Sequence, residues 1–167
     1  MPVRHLKHVL CLVSGLTCTI PAAAQIDRIL DTPTGWIYRY GAAPSTIDTD
    51  VGNGWRPFCI ERIGTDSYNV VCVPNSGDFE IPGFSTAHTY WALTPATLEN
   101  SIGGERIIDL DVFELNNQTY MSAITIPNSG QHGAVWGRLY GQTAQQISDW
   151  ISAANSNLRM IYIEQDT

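Results

Sequence analysis

Lysine is almost absent from this sequence. Its single lysine, Lys7, is one of nine basic residues that stand against 16 acidic ones, and the formal net charge at pH 7 is −7. Nucleic-acid binding depends on basic side chains that neutralise phosphates, so this charge balance argues against a nucleic-acid partner.

Long hydrophobic runs are also missing. The apolar stretch at residues 9–16 is far shorter than the ~20 residues that span a bilayer, so we expect no transmembrane segment. Arg4 and Lys7 give this stretch a positive start, and the small residues 22–24 follow it. This order is typical of a secretory signal peptide, so we predict cleavage after Ala24 and a secreted or periplasmic protein.

The part of the chain that would remain after cleavage suits one domain. Removal of residues 1–24 leaves 143 residues (167 − 24), enough to bury a core. Arg4 and Lys7 leave with the leader and no acidic residue does, so the remaining net charge is 7 − 16 = −9. Without lysine, this part offers no Schiff-base or P-loop chemistry. We predict a single acidic domain over residues 25–167.

Cysteine is scarce after the leader. Only Cys59 and Cys72 lie in residues 25–167. The β-prone segments FCIERI and YNVVCV flank a short turn at residues 64–67, which predicts a β-hairpin. Pairing Ile63 with Tyr68 would place the two thiols opposite each other, about 4.5–5.5 Å apart at Cβ. A disulfide needs about 3.5–4.5 Å, so we predict a structural disulfide in an oxidising compartment.

The histidines do not suggest a metal or cofactor site. His88 and His132 have no ligand spacing to each other or to the two cysteines. The C-x12-C spacing also differs from the C-x-x-C of redox pairs. We therefore predict no metal and no cofactor.

The sequence contains an internal repeat of about 50 residues. The turn sequence VPNSG at residues 73–77 returns 53 positions later as IPNSG at 126–130. Arg56, Arg106 and Arg159 follow one another at spacings of 50 and 53 residues. These landmarks predict about two and a half units, which cover approximately residues 36–77, 90–130 and 136–164.

Each unit is predicted to contain an aromatic strand, a short helix and an antiparallel β-hairpin. Thr94 with Pro95 forms a helix start, and Thr143 caps a helix with an apolar stripe at Ile147, Trp150 and Ile151. A shorter, poorly patterned helix is expected near residues 45–50. The fold class is therefore α+β with mainly antiparallel sheet. Because the chain opens (residues 27–31) and closes on partial units, the open end strands would pair either with each other or with a second copy of the protein, which makes an oligomer possible.

The second unit carries the landmarks most completely, in RIIDL at residues 106–110, Thr119-Tyr120 and the IPNSG turn. This pattern resembles the bacterial tandem repeat domain family, whose repeats are similar to those ahead of the hydrolase domain in secreted fungal polyglycine hydrolases. In the first unit Pro57-Phe58 replaces the Ile-Ile pair, and the third lacks the PNSG strand. The resemblance implies an extracellular repeat module and no particular activity.

Two groups of polar residues are candidates for a catalytic site. Ser76 and Ser129 lie in the PNSG turns outside a G-x-S-x-G motif, and His132 follows the second serine but has Phe79 as its counterpart. Proline, asparagine and glycine make the same sequence a turn, which is the favoured interpretation.

Asp109 and Asp111 point to one face of a strand. They would form either a paired-carboxylate site or a solvated face that pairs with Arg106 or Arg138. We favour the solvated face. For the repeated arginines we likewise favour structural ion pairs over ligand contacts.

Aromatic residues recur at equivalent places in the units and are the candidate ligand-binding residues. Alternation places those of the first strand on one side of it, and those of the third unit likewise. If buried they would form the repeat core, and if exposed they would form a platform for sugars or extended peptides. The set is Trp36, Tyr38, Tyr90, Trp91, Trp136 and Tyr140, with Tyr40 beside the first two.

These observations favour a secreted, non-catalytic repeat module that binds an extracellular protein, peptide or glycan. The alternatives are a small secreted hydrolase and a protease-inhibitor-like protein that presents the hairpin turn at residues 64–67.

Overall fold

The computed structural model of the chain describes residues 6–13, 35–77, 80–81, 84, 88–129, 133, 135–153 and 158–165. The chain divides into two compact bodies, one formed by Met1–Ile20 with Gly133–Thr167 and one by Pro21–His132. None of the helices among the described residues is long and apolar enough to cross a membrane.

The fold is α+β, with strands in antiparallel sheets and three helices among the described residues. In chain order the elements are β1 (Leu6–Val13), β2 (Ile37–Ala42), α1 (Pro44–Gly52), β3 (Trp55–Gly64), β4 (Ser67–Pro74), β5 (Thr89–Leu93), α2 (Pro95–Ser101), β6 (Glu105–Leu115), β7 (Gln118–Pro127), β8 (Val135–Gln142), α3 (Ala144–Ala153) and β9 (Leu158–Gln165).

Three sheets of three strands each are built from these elements. The larger body contains the first sheet, in the order β2-β4-β3, and the second sheet, in the order β5-β7-β6. The smaller body contains the third sheet, in the order β8-β1-β9. In the first two sheets the central strand is the second strand of a hairpin, β4 of β3-β4 and β7 of β6-β7. In the third sheet the central strand is β1.

The helix starts follow the sequence signals. The Thr94 hydroxyl oxygen accepts a hydrogen bond from the Thr97 N–H at 3.3 Å, and Pro95 opens α2. At α3 the Thr143 hydroxyl accepts from the Gln146 N–H, and the Gln146 side chain accepts from the Thr143 N–H at 2.8 Å. This reciprocal capping box satisfies two amides that the first turn leaves without helical partners. α1 begins at Pro44 without a side-chain cap.

Both hairpins change register at the same point along their first strand. Pro57 pairs with Cys72 but Cys59 pairs with Val71, so Phe58 is an extra residue. Fifty positions later, Ile107 pairs with Thr125 and Asp109 pairs with Ile124, so Ile108 is the extra residue. An extra residue in one strand is a β-bulge, which bends the strand and turns neighbouring side chains to one side.

One core joins the two sheets of the larger body. Tyr68, Val70 and Cys72 of β4 pack with Ile47 of α1. Ile124 of β7 belongs to the same buried cluster. The second sheet therefore contributes its central strand to the core of the first.

Each aromatic strand has a register shift near its end, and a residue with left-handed backbone lies within it. Gly41 and Ala92 occupy it with φ of 62° and 49°, a region that disfavours residues with a Cβ. Ala92→Gly should raise the free energy of unfolding by about 0.5–1 kcal/mol in urea denaturation.

The matched control is Gly41→Ala, whose new Cβ would lie 3.4 Å from the Ser67 hydroxyl. It should lower the free energy of unfolding by about 1 kcal/mol or more. A loss of stability in Ala92→Gly would show that the left-handed backbone at residue 92 is not strained.

Candidate functional site

An exposed aromatic row lies on β2 and the residue before it. Trp36, Tyr38 and Tyr40 alternate along the strand and are 66%, 49% and 78% exposed. Alternate residues of a strand share one face, here the face turned away from α1 and the core. The residues between them, Ile37 and Arg39, point the other way, where Ile37 packs on the core and Arg39 binds Asp50.

Two apolar residues of β3 extend this surface across the sheet. Tyr38 pairs with Val71, which in turn pairs with Cys59 beside the bulged Phe58. Phe58 and Ile63 are 41% and 43% exposed. We call Trp36, Tyr38, Tyr40, Phe58 and Ile63 the outer aromatic face. Leu115 is the only other large hydrophobic residue so exposed in the described part of the chain.

Polar groups at the middle of this face are fixed by hydrogen bonds. The Asn69 amide donates to a carboxylate oxygen of Glu61 at 3.2 Å, and its carbonyl oxygen accepts from the Gly41 N–H at 3.3 Å. Aromatic side chains beside an oriented amide and a carboxylate can stack on a ligand and accept its hydrogen bonds. This combination suits a sugar or an extended peptide.

The aromatic residues of the second unit have structural partners instead. The Tyr90 hydroxyl lies 3.1 Å from a Glu105 carboxylate oxygen. Burial of the hydroxyl, and to a smaller extent the charge of Glu105, raises the pKa of Tyr90 to about 12. The Trp91 indole N–H donates to Asp48 at 3.2 Å, and its ring centroid lies 4.9 Å from that of Tyr68. Both side chains are half-buried, so they join elements of the body rather than form a platform.

The aromatic residues of the third unit are described only in part. Trp136 is half-buried, and the Arg138 guanidinium lies 5.7 Å from its ring centroid. Tyr140 lies in β8, but its side chain is outside the described residues. Among the predicted ligand-binding residues, Trp36 and Tyr38 are therefore the two that the described structure places on an open face.

The serine residues lie in turns that their asparagine neighbours organise. Ser76 and Ser129 are exposed, and His132 is outside the described residues. The Asn75 side chain accepts from the Ile81 N–H at 2.8 Å and donates to the Ile81 carbonyl at 3.3 Å. The backbone N–H groups of Asn75 and Asn128 donate to glycine carbonyls at equivalent places. These contacts favour the turn interpretation of the repeated PNSG.

Asp109 and Asp111 form neither a paired catalytic site nor the solvated face that was favoured. Asp109 accepts a hydrogen bond from the Ile60 N–H at 2.7 Å, and Asp111 accepts one from the Arg62 N–H at 3.0 Å. The two carboxylates thus satisfy backbone donors along β3, and the edges of the first and second sheets are joined through them. Burial raises the pKa of Asp109 to about 6, and the hydrogen bonds that its carboxylate accepts reduce this rise.

The repeated arginines are buried in the larger body. Arg56 and Arg106 are 1% and 2% exposed, and burial lowers the pKa of Arg56 to about 10. Their guanidinium groups have no open path to a ligand on the surface. The side chain of Arg159 is outside the described residues. A salt bridge that the sequence did not predict joins Arg39 and Asp50, with both nitrogen–oxygen distances at 2.7 Å.

The two cysteines are not opposite each other, because a register shift between Arg62 and Gly64, next to the turn, moves the expected pairing by one residue. Cys59 faces Val71 on the exposed side, and Cys72 faces Pro57 in the core. Both are free thiols in the structure, and the disulfide stays a prediction that requires a chemical test. No group of three or more His, Cys, Asp or Glu side chains within the described ranges is arranged to hold a metal ion.

Thiol labelling of the reduced protein should separate the two cysteines. Cys59 is exposed and should react with iodoacetamide first. Cys72 is buried, burial raises its pKa to about 12, and it should react only on unfolding. Intact mass spectrometry counts the adducts.

Protein that has not been reduced provides the comparison. A disulfide would block both thiols and lower the intact mass by the two hydrogens lost. Equal labelling rates in the reduced protein would contradict the described burial.

No protein-family model, no curated protein and no solved structure matches this chain.

Proposed function

We propose that this protein is a secreted, non-catalytic module that binds an extracellular protein, peptide or glycan on the outer aromatic face. The observation that carries the proposal is the clustering of Trp36, Tyr38, Tyr40, Phe58 and Ile63 on one side of the first sheet. Large contiguous apolar patches are uncommon on monomeric proteins and mark interaction sites. Tryptophan and tyrosine also contribute a large share of binding energy at interfaces.

The repeat organisation is part of the proposal. It is supported by the shared strand order of the first two sheets and by bulges at Phe58 and Ile108, fifty residues apart. The matching left-handed residues Gly41 and Ala92 add to this support. The similarity to bacterial tandem repeat domains is consistent with an extracellular module of about two and a half units.

Export is proposed on the sequence of residues 1–24 alone. A positive start, a short apolar stretch and small residues before Gln25 are the features that a signal peptidase recognises. After cleavage the chain would be acidic and without lysine, which argues against a nucleic-acid partner. The partner is therefore sought outside the cytoplasm.

Tryptophan fluorescence tests the binding proposal. We expect at least one probe in a panel of peptidoglycan fragments, chitin oligosaccharides and extended apolar peptides to shift or quench the emission, because Trp36 is solvent-exposed on the proposed surface. Trp36→Phe should remove most of that change.

The matched control is Trp91→Phe, which replaces a half-buried indole that donates to Asp48. This variant should keep the ligand-dependent change. An emission spectrum unaltered by every probe, or a response that survives Trp36→Phe in full, would contradict binding at this face.

A further inference from the structure

The third sheet takes its central strand from a distant part of the sequence. β1 lies between β8 and β9 and is antiparallel to both. Its register runs from Leu6 opposite Gln142 to Val13 opposite Val135 on one side, and Val13 lies opposite Leu158 on the other. Both outer strands of this sheet thus depend on residues 6–13 for their backbone partners.

Central strands are the most buried elements of the other two sheets. In β4, Tyr68, Val70 and Cys72 are buried, and in β7 the whole stretch Met121–Ile126 is buried. Residues 8–13 read HVLCLV, and the corresponding part of β4 reads NVVCVP. β1 and β4 therefore share one chemistry, a short apolar segment rich in branched side chains, which suits a position with strands on both sides.

The segment that fills the third sheet belongs to the proposed leader and overlaps its apolar stretch at residues 9–13. If the leader is removed, β8 and β9 lose the strand that lies between them. An open sheet side presents unpaired N–H and C=O groups, which pair readily with another strand. The support for the sheet would remain, because Ile147 of α3 is buried against Leu139 of β8, with Trp150 and Ile151 beside it.

We propose that the processed protein binds an extended, apolar β-strand of a separate polypeptide in the central position of the third sheet. The occupant is a segment of about eight residues, antiparallel to β8 and β9, with branched apolar side chains. β1 defines this chemistry, since a segment of that kind occupies the position in the structure. Backbone hydrogen bonds on both sides would give affinity, and the apolar side chains would give selectivity.

This inference rests on the leader removal in the proposed function but is independent of the outer aromatic face. The two sites lie on different bodies of the chain. The two proposals can therefore fail separately. Tryptophan fluorescence measures binding at the outer aromatic face, and hydrogen exchange of the β8 and β9 amides measures strand binding.

Hydrogen exchange on the secreted product tests the proposal. The protein is expressed from the complete 167-residue sequence in a secreting bacterium, and intact mass identifies its first residue. The expected product begins at Gln25 and is monomeric by light scattering. Its amides in β8 and β9 should exchange at least ~100-fold faster than those of β4 and β7, because the two strands lack their shared partner.

The probe is a synthetic peptide of residues 5–14, which contains the β1 sequence. It should bind at 1:1 stoichiometry and slow exchange in β8 and β9 at least ~10-fold, with no change in β4. The control peptide carries Leu10→Pro, which removes a central N–H donor and should give no protection.

Four results would overturn the proposal. They are a product that retains residues 6–13, a monomer in which β8 and β9 are protected without peptide, a homodimer in which they are protected by a second copy, and a peptide that protects neither strand.

Discussion

Replacing Ile124 with alanine is expected to lower the free energy of unfolding by about 2–5 kcal/mol. Ile124 is fully buried and is the residue of β7 that enters the cluster formed by Ile47, Ile60 and Tyr68. The truncation removes apolar contacts and leaves a cavity between strands that pack from two sheets, so the loss combines a transfer and a cavity contribution.

Guanidinium denaturation followed by tryptophan fluorescence and by far-ultraviolet circular dichroism measures this loss. Leu115→Ala is the control, because Leu115 is 41% exposed at the end of β6 and should change stability by less than about 0.5 kcal/mol. A change below about 1 kcal/mol for Ile124→Ala would contradict a core shared by the two sheets.

Replacing Asp109 with asparagine is expected to stabilise the protein at pH 7 by up to about 3 kcal/mol and to change little at pH 4. Burial raises the pKa of Asp109 from 3.8 to about 6. The folded state therefore favours the protonated carboxyl, whose stabilising contribution is complete below about pH 4 and is lost as the pH rises through about 6. A shift of about two pKa units corresponds to about 3 kcal/mol.

Asparagine removes this pH dependence because it is neutral at both pH values. Its carbonyl oxygen can still accept from the Ile60 N–H, as Asp109 does at 2.7 Å. Urea denaturation of both proteins between pH 4 and pH 8 measures the difference. The control is Glu80→Gln, which replaces an exposed carboxylate. Its free energy of unfolding at pH 7 should stay within about 0.5 kcal/mol of the wild-type value. If the free energy of unfolding of the wild type exceeds that of Asp109→Asn by an amount that grows with pH, the raised pKa is contradicted.

Local signals in the sequence were enough to predict the start of two helices and the first hairpin, but not the strand β1 at residues 6–13. Thr94 and Thr143 cap their helices as expected, and the hairpin on either side of residues 64–67 forms. Register was not predictable from a constant pairing sum, because the register shift between Arg62 and Gly64 moves Cys59 from Cys72 to Val71.

Long-range contacts account for what the sequence did not reveal. Alternation placed Trp36 and Tyr38 on one side of a strand, but whether that side is open depends on elements far along the chain. The positions of Asp109 and Asp111 likewise depend on β6 lying beside β3, which no local pattern encodes. The aromatic candidates are therefore recognisable in the sequence, but which of them are exposed and which are half-buried depends on the tertiary structure.

The most direct test of the central claim is the affinity of a variant that lacks the aromatic row. Tyr38→Ala combined with Tyr40→Ala removes two exposed rings from one edge strand of the first sheet. For the ligand identified by fluorescence, isothermal titration should show a dissociation constant raised at least ~10-fold, or about 1.4 kcal/mol. Leu115→Ala, which truncates an exposed apolar residue outside this face, should bind as the wild type does. An unchanged dissociation constant in the double variant would contradict the claim that the outer aromatic face is the binding surface.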